Sequence, residues 1–276
     1  MLCDVSKRLF CATLLLALSV FPGLALAQEH AERHYEVTWI KDMPLTFASA
    51  FFSVYGNYRY SQLTVPAQED VPAASRLLPW DRPVAGRHSD AADKVSDWAV
   101  LLGVSPIALS AYSWAKGDAS GGDFGSYLLI FAQALALQNG MNMLVRCMQL
   151  WPRPYVYAKE GRGLEAAEKA EGEAYGSFFS GHTSAAFTIA VFTGEWFSEV
   201  YPSSPYRGIV WAGSLSAAGF VGILRIAAGK HYPTDVVAGA LIGTGLSFSI
   251  IRMHKASSKK VSLYAGPDAA GVTLRF

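Results

Sequence analysis

From Trp98 onward the chain is a succession of long apolar segments, at about 98–114, 126–150, 184–202, 207–224 and 235–253. Runs of this length read as helices, so the expected fold is all-α, a helical bundle of five to six core helices. The last segment, 235–253, would be about 28 Å long at about 1.5 Å per residue, which matches the hydrocarbon thickness of a bilayer. Other segments argue for a protein interior: 126–150 holds Gln133, Gln138, Asn139 and Asn142, and 184–202 holds Glu195. Trp98, Trp114, Trp151 and Trp211 stand near segment ends, where interfacial aromatics collect, although Trp is also an ordinary core residue. Composition does not separate the two settings. The chain is 51% hydrophobic and 16% charged, with a mean hydropathy of +0.22, between a soluble enzyme and a polytopic membrane protein. A membrane-embedded bundle and a soluble exported bundle are both open on this reading.

A length of 276 residues suits one main domain. The formal net charge of +1, with no Lys/Arg-rich stripe among aromatics, argues against a nucleic-acid partner. The N-terminus reads as an export leader over residues 1–27: Lys7 and Arg8, an apolar run from Leu9 to about Leu24, then the small-x-small site Ala25-Leu26-Ala27. The mature chain would begin near Gln28; an uncleaved first membrane span is the alternative. Cys3 and Cys11 fall in this leader, leaving only Cys147 in the mature chain and no internal disulfide. Cys11 precedes most of the apolar run, which does not support a lipoprotein anchor.

Residues 28–96 form an accessory segment with one amphipathic helix expected from Asp42 to about Tyr58. Asp42 caps it, Pro44 fits its first turn, and Leu45, Ala48, Phe51, Phe52 and Tyr55 recur at helical spacing to pack on the main body. Pro66, Pro72, Pro79 and Pro83 make 61–92 an irregular surface segment, and the polar, Gly-interrupted 157–176 a mobile loop or short helix. The helical domain is expected over 97–256. In 257–276, Val261, Leu263 and Ala265 alternate, a Gly-Pro-Asp turn follows, and Val272, Leu274 and Phe276 alternate again, which predicts an accessory β-hairpin.

Three short elements carry the chemistry. In "RCMQLWPRP", Arg146 and Arg153 offer two planar forks of permanently charged donors, suited to a phosphate-like oxyanion. In "FFSGHTSAAF", Ser180, Gly181 and His182 directly precede an apolar helix, whose N-terminal N–H groups favour an anion while Gly181 permits close approach. In "GILRIAAGKHYPTD", Arg225, His231 and Asp235 follow at spacings of six and four; with Pro233 and Thr234 opening a helix, the Asp235 carboxylate comes within reach of His231. A carboxylate on one ring nitrogen sets the tautomer and strengthens the other as a nucleophile. Singly, each element has a plainer reading: interfacial arginines, a capped helix start, or a helix-terminal polar cluster.

Together and in this order they resemble the signature of the type 2 phosphatidic acid phosphatase (PAP2) and vanadium haloperoxidase superfamily: Lys-x6-Arg-Pro, Pro-Ser-Gly-His and Ser-Arg-x5-His-x3-Asp. The resemblance spans about residues 97–253. Three letters depart from it: Arg146 replaces lysine, Phe179 replaces proline and Leu224 replaces serine. Every ionisable position keeps its charge type, so activity is expected with substrate preference more open. The resemblance implies that His231 attacks phosphorus to form a phosphohistidine, oriented by Asp235, while His182 protonates the leaving oxygen and then activates water. It further implies that Arg146, Arg153, Arg225 and the backbone at Ser180 and Gly181 hold the phosphoryl oxygens, with no metal and no cofactor.

The remaining histidines, His30, His34, His88 and His254, are scattered without zinc-ligand spacing, and neither a P-loop nor a Gly-x-Ser-x-Gly elbow occurs. The expected partner is a phosphorylated lipid, of phosphatidate or isoprenyl pyrophosphate type, at the outer side of a membrane. A soluble exported acid phosphatase on small phosphomonoesters is the alternative. A vanadium-dependent haloperoxidase and a non-catalytic envelope protein binding an anionic headgroup are weaker readings, and the sequence leaves the oligomeric state open.

Overall fold

The computed structural model describes residues 34–98, 102–158 and 171–255, together with the backbone of 261–265 and 270–274. The leader expected at 1–27 and most of the 157–176 segment lie outside the described residues. Seven α-helices form the described body: α1 (Trp39–Ser61), α2 (Asp90–Trp98), α3 (Val104–Ala115), α4 (Gly121–Arg146), α5 (Gly181–Val200), α6 (Arg207–Ala227) and α7 (Pro233–His254). Local chemistry sets their starts. Ser120 caps α4 by accepting from Asp123 N at 3.0 Å, and Ser180 occupies the same position before α5. At α7, Pro233 takes the first helical position, and Asp235 reaches back to the Tyr232 N–H at 2.9 Å.

Helix α4 is the centre of the bundle, packed against α1, α3, α5 and α7. Its polar side chains Gln133, Gln138 and Asn142 are buried, so the polar letters in this apolar run do mark a protein interior. Tyr127, Phe131, Phe192, Trp196, Ile250 and Ile251 form the main core between α4, α5 and α7. Truncating one of these aromatic residues to alanine would cost about 3–5 kcal/mol. Where α1 crosses α4 the backbones nearly touch: a Cβ on Gly140 would lie 2.5 Å from the backbone carbonyl carbon of Phe52.

Helix α1 corrects the expected orientation. It packs on the body, but through Asp42, Thr46, Ser49, Ser53 and Gly56, while Phe51, Phe52 and Tyr55 point outward and Phe47 is 76% exposed. The reason is hydrogen bonding. Gln133 Nε2 donates to Thr46 Oγ1 at 2.8 Å and Asn139 Nδ2 to Ser53 Oγ at 2.9 Å, so the polar stripe of α1 accepts from two amide donors of α4. The outer faces of α6 and α7 are likewise apolar, with Ile209, Phe220, Ile223, Val237 and Leu241 all exposed. Helices α4, α6 and α7 are long and apolar enough to cross a membrane.

The fold class needs one further correction, because the described architecture is helical and the expected β-hairpin is not supported as part of it. Backbone at 261–265 and 270–274 runs antiparallel, with Val261 opposite Leu274, but the two segments pair only as an isolated two-stranded ladder. Such a pair is marginal in water without a third strand or a covering helix.

Candidate active site

Four helix ends meet at one end of the bundle: the C-termini of α4 and α6 and the N-termini of α5 and α7. Each sequence element sits on one of these ends or just beyond it. Arg146 is the last residue of α4, Ser180, Gly181 and His182 open α5, Arg225 lies in the last turn of α6, and Asp235 lies in the first turn of α7. His231 occupies the short joint between α6 and α7, and Arg153 the joint after α4.

His231 is buried at 2% exposure, with Nδ1 3.5 Å from Oδ2 of Asp235. That separation is an ion-pair contact, too long for a good hydrogen bond. The carboxylate takes its short bonds from Ser177 Oγ at 2.5 Å and Tyr232 N at 2.9 Å. Burial, then the positive charges of Arg225, Arg153, Arg146 and His182, hold the His231 imidazole well below the ordinary histidine pKa. It is therefore neutral near pH 7, the state a nitrogen nucleophile needs.

The three arginines are all buried. Arg146 donates from Nε to the Gly176 carbonyl at 2.9 Å and from a terminal nitrogen to the Tyr60 hydroxyl, and its guanidinium lies 4.3 Å from the centre of the Tyr60 ring. A terminal nitrogen of Arg153 is 3.3 Å from the same hydroxyl. Nearby tyrosine and acidic groups, Tyr60 and Tyr155 first among them, raise the pKa of Arg153 despite its burial. Arg225 NH1 donates to Asp93 Oδ1 at 2.7 Å and to Ser96 Oγ at 2.8 Å. The Nε donors of Arg153 and Arg225 are buried without a hydrogen-bond partner.

At the start of α5 the geometry narrows the expected backbone role. The Ser180 N–H already donates to the Asp235 carbonyl at 3.0 Å, and the Ser180 side chain caps its own helix. Gly181 is required by its neighbour, since a Cβ there would lie 2.5 Å from Asn142 Oδ1. His182 is half-buried and faces Asp97, with Nε2 3.3 Å from Oδ1.

Several contributors come from outside the three motifs. Tyr60 arrives on α1, and Asp93, Ser96 and Asp97 arrive on α2, which the expectation of one helix in residues 28–96 did not include. The usable signal was the i, i+3, i+4 spacing of Asp93, Ser96 and Asp97, which puts all three on one helical face. Lys230, unassigned from sequence, pairs with Asp93 at 3.2 Å and lies 5.1 Å from the centre of the Tyr155 ring. Leu224 is half-buried one residue before Arg225. Among the described residues no group of three His, Cys, Asp or Glu side chains is arranged to hold a metal ion.

Chemically, the site combines a neutral buried imidazole, a second imidazole beside a carboxylate, and three guanidiniums, two of which keep a buried Nε donor without a partner. Comparison with known proteins points the same way. The family model described as the PAP2 superfamily matches residues 125–259. No curated protein and no solved structure matches the chain. The matched stretch runs from α4 to just beyond α7 and so contains all four helix ends that build the site; this stretch, just under half of the chain, matches the PAP2 superfamily.

Proposed function

We propose that the chain is a lipid phosphatase, hydrolysing a phosphomonoester or pyrophosphate of phosphatidate or isoprenyl type through a phosphohistidine on His231. Members of the superfamily are phosphatases acting on phosphate esters. One observation carries the reading to this site: Arg153 and Arg225 each keep a buried Nε donor without a partner, close enough to His231 to depress its pKa. A buried guanidinium donor left unpaired costs free energy that phosphoryl oxygens would offset.

The steps follow from the residues. His231 attacks phosphorus through Nε2, since Nδ1 faces Asp235, forming an N–P bond as the P–O bond to the lipid breaks. Positive charge grows on the ring, and the Asp235 contact strengthens as it does so. His182 gives its proton to the departing oxygen, then takes one from the water that cleaves the N–P bond. Arg146, Arg153 and Arg225 hold the phosphoryl oxygens as charge moves between them.

The lipid character of the substrate rests on the surface and the surroundings. Helices α4, α6 and α7 are long and apolar enough to span, and the outer faces of α6 and α7 are apolar and exposed. Beside Asp235 lies an apolar cavity of about 160 Å³, lined by Leu77, Leu150, Trp151, Phe178 and Tyr232. The leader-like N-terminus supports export, with the site on the outer side of the membrane. Purified His231→Ala and His182→Ala variants, assayed on phosphatidate and isoprenyl pyrophosphate, test the mechanism; unchanged hydrolysis in either one refutes it. Extraction with carbonate and then detergent tests the setting, because release without detergent excludes an integral lipid enzyme.

A further inference from the structure

Helix α2 precedes the stretch that matches the family, yet it points three side chains into the site. Asp93 and Ser96 take the two short hydrogen bonds of Arg225 NH1, and Asp93 also pairs with Lys230. Asp97 reaches a different target. Its Oδ1 lies 3.3 Å from His182 Nε2 and 3.5 Å from Arg225 NH1. The two histidines therefore each have a carboxylate: Asp235 for His231, from within the family motif, and Asp97 for His182, from outside it.

Resting on the phosphatase reading above, we infer that Asp97 is a positioning residue for the proton transfer, holding the His182 imidazolium by Nε2 so that its other ring nitrogen delivers the proton to the departing lipid oxygen. In that step the N–P bond forms at His231, the P–O bond breaks, and the lipid oxygen takes the proton. His182 is left neutral with its Nε2–H on Asp97, ready to accept a proton from water in the second step.

The charges facing His182 are Arg225 on α6 and Asp97 and Asp93 on α2. Arg225, together with burial, draws the imidazole below the ordinary histidine pKa, and Asp97 is the main opposing influence. Burial works against an ionised Asp97, but the hydrogen bond and charge of His182, with Arg225 and Lys230, outweigh it and lower its pKa. An imidazole beside a buried guanidinium loses its proton more readily; a fixed carboxylate on its far nitrogen offsets part of that loss and aims the ring.

A positioning residue for a general acid leaves a signature that a structural residue does not: its loss hurts poor leaving groups and spares good ones. The test compares dodecyl phosphate with a dodecyl-substituted nitrophenyl phosphate in the same detergent micelles, measuring kcat/KM, which reports the steps through leaving-group departure. Asp97→Asn is expected to lower kcat/KM about 30-fold on the alkyl ester and less than about 3-fold on the nitrophenyl ester, and to move the alkaline limb of the alkyl profile to lower pH. Asp97→Glu, which keeps the charge, is expected to give a smaller loss with the same selectivity, and it carries the test if the asparagine variant does not fold. Asp93→Asn, on the same helix but bonded to Arg225 and Lys230 rather than to His182, is expected to slow both esters with much less selectivity than the Asp97 variants. Equal losses on the two esters in the Asp97 variants, or no loss, overturn the inference while leaving the phosphatase reading intact. If the unaltered chain hydrolyses neither ester, the phosphatase reading falls and the inference falls with it.

Discussion

Ser177 donates its hydroxyl to Oδ2 of Asp235 at 2.5 Å, with both side chains buried. The same oxygen is the one that faces His231 Nδ1 at 3.5 Å, so Ser177 helps decide where the carboxylate stands. A hydrogen bond to a charged group contributes about 1.5–3 kcal/mol. Ser177→Ala is expected to reduce kcat about 10-fold or more with KM little changed, because the affected contact strengthens only as charge develops on His231. Steady-state kinetics on the preferred lipid phosphate checks the split; a pure KM effect would place Ser177 in ground-state binding instead.

Tyr60 presents a ring to Arg146 and a hydroxyl to both Arg146 and Arg153. Ring stacking under a desolvated guanidinium is worth about 2 kcal/mol. Tyr60→Ala should therefore weaken competitive inhibition by inorganic phosphate about 10-fold or more, whereas Tyr60→Phe, which keeps the ring, should change it less than about 3-fold. Equal losses from phenylalanine and alanine would show that the hydroxyl, not the ring, holds the two arginines.

On the proposed mechanism, the pH dependence follows from the two histidines. His182 must carry a proton to act as an acid, and Arg225, followed by burial, sets its pKa below the ordinary value of about 6.5, so activity falls as pH rises through that lowered value. His231 must be neutral to attack, and its pKa lies well below the ordinary value, so the acid limb falls lower still. The profile of kcat/KM, corrected for the second ionisation of the phosphate ester near about 6, should be a bell with its maximum on the acid side of neutrality. A maximum above pH of about 7.5 would contradict the assignment of His182 as the acid.

At the opposite end of the bundle Asp42 and His254 form a fully buried pair, Oδ1 to Nε2 at 2.6 Å, which ties α1 to α7. Removing one partner of such a pair costs about 3–5 kcal/mol, because the other is stranded. Asp42→Ala and His254→Ala should each lower the thermal unfolding midpoint in detergent, and the double variant should cost clearly less than the sum of the two. Additive losses would mean that the two side chains act separately.

Much of the site was legible from short motifs, because Arg146, Arg153, His182, Arg225, His231 and Asp235 lie at spacings that helix ends convert into one cluster. The amphipathic segment around Phe51 shows how a pattern can mislead. Its apolar spacing is helical, but which face turns inward depends on the partner, and the amide donors of Gln133 and Asn139 on α4 select the Asp42, Thr46 and Ser53 side. The alternation at 261–265 and 270–274 has the opposite fault: a strand period describes local backbone, and says nothing of whether a third strand or a covering helix exists to stabilise the pair.

By itself the sequence determined the helical class, the four helix ends and the ionisable groups they carry, since apolar run length, proline and glycine positions and motif spacing are local properties of the chain. Only the tertiary structure decided that Tyr60 reaches the arginine clamp, that Asp97 faces His182, and that Asp93 and Lys230 close around Arg225. Those pairings join residues up to 137 positions apart, across surfaces whose hydrogen-bonding needs had to be met together, and no local period encodes such a match.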